Sequence, residues 1–164
     1  MLSSAGWGIS RQERVLGAWW NGERYASNMI DDFNHWSTGW VDWNMALSML
    51  GGPSWVGNSV TSPIIVDKDS GEFFKQPMYY VMGHFSKYIK RGSVRIYSGI
   101  SGSQNFKSVA FHRPNDNISI IVLLNSGDST EAVSVDLGNS VDFINFDMTE
   151  KSVVTILSNK PTFG

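Results

Sequence analysis

The sequence predicts an α/β part, residues 1–92, followed by an all-β part, residues 93–164. Two observations carry that division. All seven Trp lie at or before Trp55, so the two stretches have different aromatic content. Ahead of Arg91-Gly92 apolar residues recur at helical spacing, whereas after it the chain breaks into short β-branched runs separated by Gly, Asn, Asp and Ser.

The elements follow in order. Ser10-Arg11-Gln12-Glu13 has the form of a capping box, in which the Ser hydroxyl and a Glu three residues on satisfy each other's free backbone N–H groups, so a helix is expected to start there. Val15, Trp19, Ala26, Met29, Ile30 and Phe33 continue it as one apolar stripe, with Gly17 and Gly22 as weak points. The run Gly39 to Asn44 is short, β-prone and followed by the turn signal Gly51-Gly52-Pro53, which predicts a buried strand leading into a loop. Ser62 to Val66 and Phe73-Phe74 flank Asp67-Lys68-Asp69-Ser70-Gly71, the chemistry of a hairpin turn. Gln76-Pro77 then places Pro at the first position of a second helix with Met78, Val81, Met82 and Phe85 on its buried face. Lys87, Lys90, Arg91 and Gly92 are expected to close it.

From Ser93 onward six strands are expected: 94–97, 109–112, 118–124, 132–137, 141–146 and 153–157. Their regular spacing predicts an antiparallel sandwich, with the most apolar run, Ile118 to Leu124, at its centre.

Composition narrows the function. A net charge of −2 with no basic stripe argues against nucleic acid as a partner, because phosphate binding needs clustered Lys and Arg. No apolar run is long enough for a transmembrane segment, and Met1 to Ser10 lacks a basic flank followed by an apolar core, so no signal peptide is predicted in this chain. The absence of Cys removes disulfides and thiolate chemistry, and three scattered histidines, His35, His84 and His112, leave little for a metal site; no cofactor is expected.

Fifteen carboxylates raise the question of an acid/base pair. Asp67, Asp69, Asp116 and Asp128 sit in turn sequence and read as solvated charge. Asp42 differs, because it lies inside the apolar frame Trp40-Val41-Asp42-Trp43 and burial of an unpartnered carboxylate is costly. It is either held by donors or serves a site. Trp19 and Trp36 read as core. Trp43 with Asn44, and Trp55 with Asn58, are either core or a sugar platform, in which an indole face stacks on a sugar ring while amides bind its hydroxyls. His35 and His84 read as capping or packing residues. Asn117-Ile118-Ser119 matches a glycosylation sequon at the start of a strand.

The runs Gly39-Trp40-Val41-Asp42-Trp43-Asn44-Met45-Ala46-Leu47, Gly51-Gly52-Pro53-Ser54-Trp55-Val56, Ser62 to Asp67, Lys75 to Tyr80 and Gly83-His84-Phe85-Ser86-Lys87 resemble the C-terminal part of the glucosylceramidases (acid β-glucosidases) of glycoside hydrolase family 30. The resemblance implies a fold of α/β plus all-β class: the C-terminal portion of a (β/α)8 TIM barrel, residues 1–92, followed by an antiparallel β-sandwich, residues 93–164, both incomplete. It implies that Trp43 and Asn58 line the glucose pocket, with Asp42 as a buried support beside it. It further implies a retaining hydrolysis of glucosylceramide or another β-glucoside, a lipid-presenting activator protein as partner, and a lysosomal or secreted location. Family members carry an acid/base in an Asn-Glu pair and a nucleophile in a Ser-Glu-Ala-Cys type motif. Neither motif occurs in this sequence, so no catalytic residue is assigned and the chain alone is expected to be inactive. The alternative is a non-catalytic carbohydrate- or glycolipid-binding module derived from such an enzyme.

Overall fold

The computed structural model describes residues 2–3, 15–57, 59–138 and 143–159. The chain forms two compact units, Met1–Met82 and Gly83–Gly164.

The first unit contains β1 (Leu2–Ser3), α1 (Trp19–Asn34), β2 (Gly39–Trp40), β3 (Ala46–Ser48), β4 (Ile64–Asp67), β5 (Glu72–Lys75) and the greater part of α2 (Pro77–Ser86). The expected capping box lies outside the described residues. Val15 to Ala18, placed by the sequence inside the helix, are not helical, and Val15 is exposed. The reason is Gly17, which sits at φ +74, a left-handed conformation that interrupts a right-handed helix. Its N–H donates instead to Gln76 Oε1 at 2.9 Å. From Trp19 the helix runs unbroken and buries Tyr25, Ala26, Met29 and Ile30. Gly22 is a site of close approach: a Cβ there would lie 2.8 Å from Pro77 Cβ and 3.4 Å from Val81 Cγ2, so α1 and the first turn of α2 meet where no side chain intervenes.

His35 ends α1 as expected of a cap. Its backbone N–H bonds to Asp31 O and Asp32 O, and its Nδ1 stands 2.7 Å from Asp31 O. Trp36, read as core from the sequence, is exposed; it falls beyond the helix at φ +68, in the turn that reverses the chain, so the helical stripe no longer sets its direction.

The strand expected over Gly39 to Asn44 is shorter and less buried. Only Gly39–Trp40 pairs, in parallel with β1 (Leu2↔Gly39, Ser3↔Trp40), while Val41 and Trp43 are exposed. Beyond Trp40 the ladder gives way to a local bond, Trp43 N–H to Asp42 Oδ1 at 2.8 Å. A strand the sequence did not announce, β3, follows at once and pairs in parallel with β4 (Ala46↔Ile64). The β4–β5 hairpin is antiparallel (Ile64↔Lys75) around the expected turn, where Asp69 N–H donates to Asp67 Oδ1 at 3.0 Å. Helix α2 starts at Pro77 as predicted and buries Met78, Val81 and Phe85, with Met82 half-buried. It stops at Ser86, six residues before Gly92, because the chain tightens there: Tyr88 and Ile89 N–H both turn to Phe85 O, at 3.2 and 2.9 Å. Gly92 then makes a separate turn at φ +88.

The second unit contains β6 (Val94–Ile96), β7 (Phe106–Arg113), β8 (Ile118–Asn125), β9 (Glu131–Asp136), β10 (Phe143–Met148) and β11 (Ser152–Ser158). They form two antiparallel sheets, one ordered β11-β8-β7-β6 and one pairing β9 with β10. All six expected strands are present, with residues 141–142 of the fifth outside the described set. As expected of the most apolar run, β8 is an inner strand, buried on both faces. Its Ile121 and Leu123 join Ala110, Leu137 and Met148 in a core that Val133, Val135, Ile144 and Phe146 of the small sheet pack against. Strand β9 alternates half-buried and exposed positions, the period-2 signature of a sheet with one wet face.

Asn125, at the end of β8, is 0% exposed and ties this unit together. Its Nδ2 donates to Ser129 O (3.1 Å), Met148 O (3.3 Å) and Thr149 O (3.0 Å), and its Oδ1 accepts from Gly127 N–H at 2.9 Å. A buried amide so fully satisfied substitutes for backbone pairing between the β8–β9 turn and the end of β10.

Candidate functional site

Of the sequence-predicted residues, Asp42 and Trp43 lie just past the C-terminal end of β2, and Trp55 lies in the loop that follows β3. Helix α1 supplies the platform. Tyr25 is 5% exposed and meets Trp40 edge-on, ring centres 5.3 Å apart at 60°. Trp40 Nε1–H donates to Asn28 Oδ1 at 2.9 Å, so both aromatic groups of the β2–α1 contact are anchored.

Against this platform Asp42 is held by two donors on one oxygen: the Tyr25 hydroxyl at 3.0 Å and Trp43 N–H at 2.8 Å, both to Oδ1. Its Oδ2 is buried without a hydrogen-bond partner among the described residues. Burial pushes the Asp42 carboxyl above its ordinary value, and the bonds from Trp43 N–H and Tyr25 pull the other way without reversing it. Burial also raises the Tyr25 phenol, followed in size by the charge of Asp42 and the hydrogen bond to it, so Tyr25 stays protonated as a donor. Of the two readings left open for Asp42, the donors are present; the unpartnered oxygen leaves capacity for a further one.

Trp43 is 73% exposed and Trp55 fully so among the described residues. The Trp55 loop is tied down at its base by Ser48 N–H to Gly52 O at 2.8 Å and Gly51 N–H to Ser48 O at 2.8 Å. Asn58 lies outside the described residues. The structure therefore brings Asp42 and Trp43 together and gives Asn58 no position.

Tyr25 is the residue that sequence reading missed. Its signal was available: it falls four residues before Met29 on the buried stripe of α1, and a phenol there needs a polar partner.

Elsewhere, His84 Nδ1 stands 2.9 Å from Thr155 Oγ1, and burial lowers its pKa, the behaviour of a packing residue. Asp116 is gripped by Arg113 (Nε–Oδ1 2.7 Å, Nη2–Oδ2 2.7 Å), and Asp128 pairs with Lys151 at 3.1 Å. A cleft of about 800 Å³ in the second unit is lined by Ile96, Tyr97, Ser108, Val133 and Val135 among others, and no described sequence-predicted site residue borders it. Among the described residues no group of three His, Asp or Glu could hold a metal ion, and no helix is long and apolar enough to cross a membrane.

Comparison with known proteins gives consistent matches along the chain. Residues 2–89 match the family model of the Glycosyl hydrolase family 30 TIM-barrel domain, and residues 92–160 that of the Glycosyl hydrolase family 30 beta sandwich domain. The lysosomal acid glucosylceramidase of Mus musculus is 47% identical over 110 residues, covering 67% of this chain and 21% of that protein. A Caenorhabditis elegans relative named as a glucosylceramidase is 36% identical over 146 residues, 89% of this chain and 28% of that protein. The chain thus spans only about a quarter of the length of these relatives. In fold it is similar to the crystal structure of SrfJ from Salmonella typhimurium, with TM-score 0.85 and 22% identity over 97% of this chain and 35% of that one.

Proposed function

Because the chain belongs to glycosyl hydrolase family 30, with the C-terminal part of its TIM barrel and its β-sandwich, we propose that it acts as the C-terminal portion of a glucosylceramidase. The complete protein would hydrolyse the β-glucosidic bond of glucosylceramide to glucose and ceramide by double displacement, within sphingolipid metabolism, in the lysosome or outside the cell. A lipid-presenting activator protein belongs to the same proposal, as does a domain division at residue 92.

The observation that carries the reading is the exposed Trp43 ring just past the C-terminal end of a parallel strand, with its backbone N–H held by Asp42. Barrel enzymes collect their substrate-contacting groups at that end of the strands. In this reading Trp43 stacks on the glucose, Asn58 binds its hydroxyls, and Asp42, itself held by Tyr25, supports Trp43. The two carboxyl groups that a retaining glycosidase sets about 5–5.5 Å apart are not assigned to this chain, so its contribution is to bind and orient the sugar.

The test is a chimera in which residues 15–159 replace the matching segment of the mouse enzyme, assayed on an aryl β-glucoside and on glucosylceramide. Hydrolysis of both is expected, and Trp43→Ala in that chimera should lower kcat/KM more than it lowers Tm. A folded chimera that cleaves neither substrate would refute the proposal; one that still binds glucosylceramide without cleaving it would favour the binding-module alternative. The 164-residue chain alone is expected to show no β-glucosidase turnover.

A further inference from the structure

The sequon Asn117-Ile118-Ser119 plays no part in the sugar site, and it is the one N-x-S/T sequence in a chain with twelve asparagines. We propose that Asn117 is an N-glycosylation site, modified on the nascent chain before β8 pairs with its neighbours; this rests on the lumenal location that is part of the reading above. Its surroundings raise it above a three-letter match.

Asn117 is exposed and is the last residue of the four-residue turn, 114–117, that joins β7 to β8, whose first pair is Arg113↔Ile118. It occupies φ +55, the left-handed region that Asn tolerates better than most side chains. The turn is held by other groups. Arg113, 8% exposed, grips both oxygens of Asp116 at 2.7 Å, and its Nη1 donates to Tyr88 O at 2.9 Å. A bulky, solvated substituent on Asn117 therefore leaves these bonds in place.

Ser119 gives the order of events. It is 1% exposed and sits between His112 of β7 and Ser158 of β11 in an inner strand. An enzyme that must read the Ser hydroxyl cannot reach it once the sheet has formed, so transfer has to come first. In that transfer the Asn117 Nδ2 forms a bond to C1 of an oligosaccharide carried on a lipid diphosphate. The bond from C1 to the diphosphate oxygen breaks, the lipid diphosphate leaves with the electron pair, and the amide nitrogen gives up one proton.

The experiment expresses the 164-residue chain behind an added cleavable secretory leader in eukaryotic cells and maps the peptide containing Asn117 by mass spectrometry, with and without an amidase that releases N-glycans. A single glycan at Asn117 is expected. Asn117→Gln and Ser119→Ala should abolish it and Ser119→Thr should retain it. Because the leader supplies the location, leader-cleaved chain carrying an unmodified Asn117 would overturn this proposal without bearing on the glucosidase reading. In a second arm, folded chain made in bacteria and a synthetic peptide of residues 113–121 are given the purified transferase and its lipid-linked donor. The peptide should be modified and the folded chain not; equal rates would overturn the claim that transfer precedes folding.

Discussion

Replacing Tyr25 with Phe removes one hydroxyl and leaves the ring that packs against Trp40 in place. The lost group is the donor to Asp42 Oδ1 at 3.0 Å, at a position only 5% exposed, where water does not easily take its place. Asp42 would keep the bond from Trp43 N–H and still have its Oδ2 buried without a partner. A hydrogen bond to a charged acceptor contributes about 1.5–3 kcal/mol and one to a neutral acceptor about 1 kcal/mol, so the cost depends on whether Asp42 is ionised. Its folded-state pKa lies above the ordinary 3.8, so the folded chain holds the proton to higher pH than the unfolded one. Ionisation of Asp42 thus lowers stability as pH rises from 3.8 through its folded value, and Tyr25 limits that loss. Tyr25→Phe should cost about 2 kcal/mol at neutral pH and about 1 kcal/mol below pH 3.8, by urea unfolding of the chain followed through Trp fluorescence. A double-mutant cycle with Asp42→Ala should return a coupling of about 1–2 kcal/mol at neutral pH. A cost under about 0.5 kcal/mol with no pH dependence would refute the reasoning.

Gly22→Ala sets helix propensity against packing. The gain of about 1 kcal/mol in propensity meets a Cβ only 2.8 Å from the Pro77 ring carbon, a rigid neighbour, and overpacking costs about 1–3 kcal/mol. Net destabilisation is expected, so a higher urea midpoint than wild type would count against the contact. Asn125→Ala strips four hydrogen bonds from a fully buried site and should cost about 3 kcal/mol. Asn125→Asp, nearly the same shape, should cost more than Ala because it turns a carboxylate oxygen toward three carbonyls; thermal unfolding of both variants ranks them. His84 has a pKa lowered from 6.5 by burial, so the unfolded chain takes up a proton that the folded chain refuses. Its contribution is present above 6.5 and declines as pH falls below it, and His84→Gln should flatten the stability slope as pH falls below 6.5.

The β-sandwich strands and the β4–β5 hairpin were legible in the sequence because each is written locally. Period-2 alternation, β-branched runs and turn residues such as Asp67 to Gly71 specify a strand or turn without reference to distant chain. The same holds for Pro77 at the start of α2, and for the uncommon runs around Trp43 and Pro77 that carry the family resemblance. The start of α1 was not legible, because the Gly17 amide is held by Gln76, 59 residues away, and no local signal outbids that bond. The length of β2 and the exposure of Trp43 were likewise tertiary. A run of aromatic and β-branched residues reads as a buried strand until Asp42 takes the Trp43 N–H and Tyr25, 17 residues earlier, takes Asp42. Local patterning thus determined the sandwich strands, the β4–β5 turn and the start of α2. Which of their polar groups are withdrawn from the ladder to build the site was decided by partners far off in sequence, since a buried donor or acceptor must be satisfied wherever its partner comes from.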